Sequence, residues 1–266
     1  MLAEARVVAE SDGRGGTRLP VLRGESPLLL RRTGPRPGGG AWRDGGVTVH
    51  LVGGAAGPLR GDELLLEIEV GPGARLEFRS VAASLALPGR SFLPASRLTV
   101  RASVAAGGTL RYLPEPLIAA AGCDHVAVTR VDVAEGGTVL WRDELVCGRH
   151  GEDSGDVRAD MTVRYAGTTV YRHELTVGPS APGWSGAAVL GGGRAIGTVV
   201  AAGPGAPGHE RGPGVVGPDA AVMPLVEGGV LVTAVGADVR QVAAVLDPWC
   251  AARLSGVVGT PASVSA

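Results

Sequence analysis

Three side chains that can ligate a metal ion lie close together in the sequence, at Cys147, His150 and Glu152. A thiolate and an imidazole are suitable ligands for a borderline transition metal, and a carboxylate could pass such an ion along. Glycines within this stretch also allow a simpler interpretation, in which the residues form a polar turn after a strand. The spacing therefore indicates either a point of metal transit or an ordinary surface turn.

A second set of metal-capable residues, Cys123, Asp124 and His125, is contiguous in the chain. Neighbouring residues of a strand point to opposite faces of the sheet. If this segment is a strand, its three side chains do not share a face, and the set is a weaker candidate than the first.

Two serines lie in sequences similar to the nucleophile loops of β-barrel proteases: Ser185 within Trp184–Gly186, and Ser154 within Asp153–Gly155. A nucleophilic serine needs a histidine base and an orienting carboxylate close to it in space. The residues that could supply the base are His50, His125, His150, His173 and His209. Ser-Gly pairs are also common in turns, so a serine hydrolase is the alternative rather than the preferred interpretation.

The elements that must position these residues are short strands arranged in three similar copies. Each copy has an alternating apolar run, a Gly-containing turn and a second run that ends on an aromatic residue. The first runs are Leu64 to Val70, Leu98 to Val104 and Ala127 to Val133; the turns are 71–74, 105–108 and 134–137; the aromatic ends are Phe78, Tyr112 and Trp141. The pattern predicts antiparallel hairpins, and their repetition predicts irregular stacked, β-helix-like sheet layers.

The rest of the chain adds further hairpins and one helix. Antiparallel pairs are predicted for Ala5 to Glu10 with Thr17 to Arg23, within Thr162 to Leu175, for Ala187 to Leu190 with Ile196 to Val200, and for Val222 to Leu225 with Val230 to Val235. A helical period begins after Asp238, a good N-cap residue, and Pro248 interrupts it with either a kink or a second short helix. We therefore predict a mainly β fold with a short C-terminal helix, forming one domain over residues 1–254 and a disordered tail over 255–266.

Composition narrows the possible functions. The 266 residues include 44 Gly and 19 Pro, and the net charge is −1, which gives no electrostatic reason to expect nucleic acid or a membrane surface as a partner. No signal peptide or membrane span is evident. Three cysteines without a short metal-binding spacing favour a cytoplasmic protein with reduced thiols.

The central part of the chain resembles the urease accessory proteins of the UreD (UreH) family. The stretches that carry the resemblance are Tyr112–Ile118 with its Pro-Glu-Pro element, the turn Val133–Thr138 and the segment Gly148–Glu152. Gly61–Leu64 is similar to a further family element, although Arg60 stands where the family has a glycine. Residues 79–84 also depart from the family pattern, because a threonine-rich segment is missing there.

The resemblance implies a scaffold for urease assembly rather than a catalyst. Its partners would be a UreF-type helical accessory protein, a UreG-type GTPase and the urease apoenzyme, which receives nickel. No cofactor would be bound permanently, but nickel could pass through, with Cys147, His150 and Glu152 as transit candidates. The residues of the resembling motifs that could line an internal path or hold a partner are Asp62, Glu115, Arg149 and Glu152; alternatively, Asp62 closes a turn and Arg149 pairs with Glu152 at the surface.

Overall fold

The computed structural model describes residues 1–34, 45–207 and 213–251. The elements in chain order are β1 (Leu2–Ser11), β2 (Thr17–Gly24), β3 (Leu28–Thr33), β4 (Val47–Gly53), β5 (Glu63–Val70), β6 (Arg75–Ser80), β7 (Ser84–Ala86), β8 (Ser96–Val104), β9 (Thr109–Leu113), β10 (Leu117–Ala119), β11 (Asp124–Val133), β12 (Thr138–Cys147), β13 (Asp156–Tyr165), β14 (Thr168–Val177), β15 (Ala195–Ala202), β16 (Gly214–Gly217), β17 (Ala220–Pro224), a 3-10 turn at Val226–Gly228, β18 (Val230–Gly236) and α1 (Val239–Ala251).

The strands form two sheets that enclose a shared apolar core. Sheet A has the order β14-β13-β11-β8-β5-β1-β2. Sheet B has the order β16-β17-β18-β15-β12-β9-β6-β4-β3, with β10 pairing with β12 and with β7. Residues from the inner faces of both sheets form the largest core cluster, including Leu66 and Val100 of sheet A and Leu76 and Leu110 of sheet B. The prediction of a mainly β fold with stacked layers and a short C-terminal helix is confirmed.

The three repeat copies stack in parallel, so the prediction that each forms an antiparallel hairpin is wrong. Their first strands, β5, β8 and β11, pair side by side in sheet A, and their second strands, β6, β9 and β12, pair side by side in sheet B. Each Gly-containing turn therefore leads the chain from one sheet to the other. Alternation reveals which face of a strand is buried but not which strand lies next to it, and this explains the error.

Hydrogen bonds between successive turns fix the stacking of the layers. Ala105 N donates to Val70 O and Ala134 N to Val104 O, each at 2.8 Å, so that each turn is bonded to the strand end of the preceding layer. The second turn also bonds to the third, through Gly107 N and Gly136 O at 2.9 Å. The backbone hydrogen bonds that join neighbouring strands thus continue through the turns.

The aromatic ends of the three copies form a stack inside the core. The ring centroids of Phe78 and Tyr112 are 5.3 Å apart, and those of Tyr112 and Trp141 are 3.8 Å apart. All three residues are buried. A stacked aromatic pair adds about 0.5–1.5 kcal/mol beyond the burial of apolar surface. Equivalent positions of the repeat thus meet because their strands pair in parallel.

Three of the remaining predicted hairpins are present. β1 pairs antiparallel with β2, β13 with β14, and β17 with β18. The predicted pairing of Ala187 to Leu190 with Ile196 to Val200 is wrong, because residues 187–190 lie in turns and β15 pairs with β12 and β18. The pairing was inferred from proximity in sequence, whereas the partners of β15 come from distant parts of the chain.

The helix begins as predicted. Asp238 Oδ1 accepts hydrogen bonds from the backbone N–H groups of Arg240 and Gln241, at 2.9 and 3.1 Å, which satisfies donors of the first turn. Pro248 lies inside α1 without ending it. Within the described ranges, no helix has the length and apolar character needed to cross a membrane. The predicted domain boundary at residue 254 and the predicted tail lie outside the described residues.

Candidate functional site

The structure separates the three side chains of the first predicted metal set. Cys147 ends β12 on its inner face and is fully buried. Burial raises the pKa of its thiol to about 11, although the hydrogen bond with Ser154 opposes this shift. The thiol is therefore protonated at neutral pH and is not poised as a thiolate ligand. His150 is exposed on the following turn, and Glu152 is half-buried there.

Glu152 is engaged by Arg149 rather than by a metal-ligating neighbour. Arg149 Nε and Nη2 donate to the Glu152 carboxylate at 2.7 and 2.6 Å, and this bidentate pair lowers the pKa of Glu152 to about 2. Arg194 stabilises the same turn by donating to Cys147 O, at 2.6 Å, and to Glu152 O. In the described parts of the chain, no group of three His, Cys, Asp or Glu side chains could hold a metal ion. A transit role for Cys147, His150 and Glu152 stays a prediction.

Asp62 and Glu115, the other predicted motif residues, contact different groups. Asp62 is buried, and its carboxylate accepts a hydrogen bond from Leu59 N at 2.9 Å and one from the α-amino group of Met1 at 3.0 Å. Glu115 is exposed, and its backbone N–H donates to Ser80 Oγ at 2.9 Å. Asp62 thus closes a turn, as its simpler interpretation predicts, and a role of either residue in partner binding stays a prediction.

The contiguous set at 123–125 alternates faces, as the strand interpretation predicts. Asp124 is half-buried and pairs with Arg60 at 3.0 Å. His125 is buried, and its Nδ1 lies 2.9 Å from Ser96 Oγ. Burial, reinforced by the charge of Arg97, lowers the pKa of His125 to about 4. A neutral, buried histidine of this kind is part of the core and does not join Cys123 and Asp124 in a site.

The geometry gives no support to a nucleophile at Ser185 or Ser154. Ser185 is exposed in a loop, and Ser154 Oγ donates to Gly155 O at 2.8 Å. The buried contact between Ser96 and His125 lacks the third member of a triad, because Nε2 of His125 has no hydrogen-bond partner. His209 lies outside the described residues.

A cavity of about 120 Å³ lies between the two sheets, and its lining includes none of the predicted site residues. It is lined by β11, β13 and β14 on one side and by β12 and β15 on the other, and the exposed His173 lies at its edge. The polar residues of its lining are Thr129, Asp143, Glu144, Asp160, Tyr171, His173 and Thr198. This volume accommodates several water molecules, and the hydroxyl and carboxyl groups supply hydrogen-bond partners for them.

Asp143 is the most unusual group of the cavity. It projects inward from β12, and Oδ2 accepts a hydrogen bond from Trp141 Nε1 at 2.9 Å. Burial, with a smaller contribution from the charge of Glu144, raises the pKa of Asp143 to about 7, whereas the Trp141 hydrogen bond acts in the opposite direction. The nearby Asp143 carboxylate also contributes, after burial, to raising the pKa of Tyr171 to about 12. Asp143 is thus an interior acid that gains or loses a proton near neutral pH.

Comparison with known proteins identifies the family. The sequence model described as "UreD urease accessory protein" matches residues 2–265. The chain belongs to the UreD family.

Individual relatives agree with this assignment along nearly the whole chain. A protein named "Urease accessory protein UreD" from Streptomyces avermitilis is 46% identical over 249 residues, which cover 92% of this chain and 94% of that protein. "Urease accessory protein UreD 3" from Streptomyces griseus is 44% identical, with the same shares covered. "Urease accessory protein UreD" from Frankia alni is 42% identical over 283 residues, covering 92% of each chain. The resemblance stated from the central motifs is confirmed.

The inward position of Asp143 in this UreD family member could be predicted from the residue pattern of its strand. Trp141 is the aromatic end of the third repeat copy, and residues two apart in a strand share a face, so the pattern places Asp143 on the same face as Trp141. A charged residue at an inward position of a strand is rare and signals a partner, a cavity or a functional site. The site residue predicted on this strand is Cys147, at its end, and the prediction does not include Asp143.

A group of charged residues in the UreD chain anchors α1 to the outer face of sheet B. Arg142 forms a bidentate pair with Glu144 at 3.0 Å and donates to Asp247 of the helix at 2.7 Å. Arg111 pairs with Glu77 at 3.1 Å and donates to Cys250 O near the helix end. A guanidinium at a helix C-terminus satisfies backbone carbonyls and interacts favourably with the helix dipole. These residues serve the docking of α1, and Glu144 also lines the cavity at Asp143.

Proposed function

We propose that this chain is a non-catalytic scaffold that acts in urease assembly in the cytoplasm. It binds a UreF-type helical accessory protein and, through it, a UreG-type GTPase, and the assembly delivers nickel to the urease apoenzyme. The observation that carries the proposal is the match to the UreD family over residues 2–265, supported by relatives named as urease accessory proteins. The layered sheets suit a scaffold, because hydrogen bonds link every layer to the next.

Nickel is cargo in this proposal and is not a resident cofactor. The cavity at Asp143 supports an internal route, because a carboxyl oxygen and hydroxyl groups in a water-sized space can receive a divalent ion and release it. Binding of a cation to Asp143 displaces the proton that its raised pKa retains, so loading is favoured at higher pH. Cys147, His150 and Glu152 remain candidates for handling the ion nearer the surface.

The test is restoration of urease in a strain that lacks this gene. The intact chain is expected to restore urease activity and the nickel content of the purified enzyme, and tagged protein is expected to retain a UreF-type partner and urease subunits. Asp143→Asn is expected to retain these partners and to lower the nickel content. Asp132→Asn, an exposed change on sheet A, serves as the matched control.

Each element of the proposal has its own negative outcome. Full urease maturation in the deletion strain contradicts the assembly role. If Asp143→Asn fails to capture the partner proteins, the role of Asp143 is not limited to the interior of the chain. If urease matured with this variant has its normal nickel content, the internal route is contradicted. A serine-directed phosphonate that labels Ser185 or Ser154 would instead support the hydrolase alternative.

A further inference from the structure

A row of arginine side chains crosses the outer face of sheet A. The register of the sheet places one residue of each strand side by side, in the order β2-β1-β5-β8-β11-β13-β14. Arginines occupy five of these seven positions, and Glu67 and Thr162 occupy the other two; the arginines are Arg23, Arg6, Arg101, Arg130 and Arg172. All seven residues are exposed or half-buried. Because neighbouring strands lie about 4.8 Å apart, the row is roughly 29 Å long.

Two pairs of arginines in this row stand directly opposite each other on neighbouring strands. Arg6 is the register partner of Arg23, and Arg101 is the register partner of Arg130. Like charges in such positions destabilise a sheet. One member of each pair is compensated within the chain, because Arg6 and Arg130 donate to acids of the adjoining rows at 2.6 and 3.1 Å. The other member of each pair is not compensated in this way.

Three arginines of the row, Arg23, Arg101 and Arg172, are exposed and available to an external anion. Among the residues that the structure describes, none of these three side chains forms an ion pair or a hydrogen bond. They lie on the first, fourth and seventh strands of the sheet, so roughly 14 Å separates each from the next. A guanidinium group binds a carboxylate through two parallel hydrogen bonds. The row thus offers evenly spaced positions for the carboxylates of a partner.

Acidic residues lie on both sides of the arginine row. One adjoining row contains Glu4, Asp160 and Glu174, and the other contains Glu69. The two adjoining rows are four residues apart along each strand, so about 13 Å separates them. An α-helix with its side chains is about 10–12 Å wide and fits between them. A broad anionic surface, such as a membrane or duplex nucleic acid, would instead meet these acids and be repelled.

We propose that the arginine row docks an α-helix of a partner protein, and that this helix presents a stripe of acidic side chains to Arg23, Arg101 and Arg172. Basic residues that border the stripe contact the acids of the adjoining rows. A groove of about 770 Å³ beside Glu69 gives room for such side chains. The length of the row matches about 20 helical residues. The surface is the outer face of sheet A, and its binding of such a helix does not depend on the role in urease assembly.

Two synthetic peptides of about 20 residues serve as probes for the full-length chain. The stripe peptide has glutamates along one helical face and lysines on either side of them, and the second peptide has the same composition in scrambled order. Fluorescence anisotropy at low salt is expected to show about tenfold tighter binding of the stripe peptide, with a smaller difference at high salt. The triple variant Arg23→Gln/Arg101→Gln/Arg172→Gln is expected to bind the stripe peptide about tenfold more weakly than the intact chain.

The matched control, Arg14→Gln/Arg32→Gln/Arg90→Gln, removes the same charge from exposed positions outside the row and should keep the binding of the intact chain. Both triple variants change exposed side chains, so their Tm should stay close to that of the intact chain. Equal weakening by the control would overturn the proposal, because net charge would then explain the binding. Equal binding of the two peptides, tighter binding of a DNA duplex, or self-association of the chain that only the row variant abolishes would also overturn it.

Discussion

Trp141 Nε1 and Asp143 Oδ2 are 2.9 Å apart, so two residues of one strand present a stacked aromatic ring and an ionisable acid to the same interior. The indole is part of the aromatic stack of the core, and its N–H group orients the carboxyl group at the cavity. The layered core and the interior acid are therefore connected through a single side chain.

The pH dependence of stability should reveal the raised pKa of Asp143. Its pKa is raised from 3.8 to about 7 in the folded chain, so the folded state binds one proton more than the unfolded state between these values. Stability therefore falls as pH rises from about 4 to about 7, by up to roughly 4 kcal/mol, and levels off above that range. In Asp143→Asn this decline should be lost, so the variant gains stability relative to the intact chain as pH rises. Urea unfolding at pH 5 and pH 7.5 measures the effect, and Asp132→Asn should keep the decline because Asp143 is still present.

Removing Arg111 should destabilise the protein strongly. Its guanidinium is buried, pairs with Glu77 and donates to Cys250 O. Arg111→Met therefore removes a positive charge that pairs with the buried Glu77 carboxylate. We expect a loss of about 3 kcal/mol in the free energy of unfolding, measured by urea denaturation. Arg101→Met, on an exposed position of β8, is the matched control. Equal effects of the two changes would contradict the structural role of the buried pair.

A side chain at Gly197 should displace α1 from sheet B. A Cβ atom there would lie 2.6 Å from Val242 Cγ1 and 2.7 Å from Leu246 Cδ1, both of which belong to buried residues of the helix. Gly197→Ala should therefore cost roughly 1–3 kcal/mol, and hydrogen exchange in α1 should increase more than in sheet A. Gly214→Ala has open space around the new methyl group and should change little. Unaltered exchange in α1 would show that the helix does not pack there.

The turn at 148–152 should depend on Arg194 more than on Arg149. Arg194 donates to two backbone carbonyls, and its replacement in Arg194→Met leaves Cys147 O and Glu152 O without these donors. We expect a loss of roughly 1–3 kcal/mol and a lower Tm. Arg149→Ala removes an exposed ion pair, and its Tm should stay close to that of the intact chain. A larger decrease for Arg149→Ala would indicate that this pair, and not Arg194, stabilises the turn.

Local pattern was sufficient for the strands of the three repeat copies, for the start of the helix and for the family. Alternation with period two marked Leu66, Val100 and Val131 as inward residues, and Asp238 marked the start of the helix, because these signals depend on neighbouring residues alone. The Pro-Glu-Pro element and the Gly-containing turns gave the resemblance that the family comparison confirms. The same alternation also predicts that Asp143 faces inward, since it is two residues from Trp141.

Tertiary structure alone decided how these elements combine. The turns at 71–74, 105–108 and 134–137 are compatible with a hairpin or with a passage between sheets, and only the hydrogen bonds of β5, β8 and β11 with one another select the passage. Likewise, Cys147, His150 and Glu152 are close in sequence, yet one is buried, one is exposed and one is paired with Arg149. The sequence determined which side chains face inward, because that depends on backbone geometry. Which of them meet across the core depends on the order of strands in the sheets, a long-range property set by the packing of the whole chain.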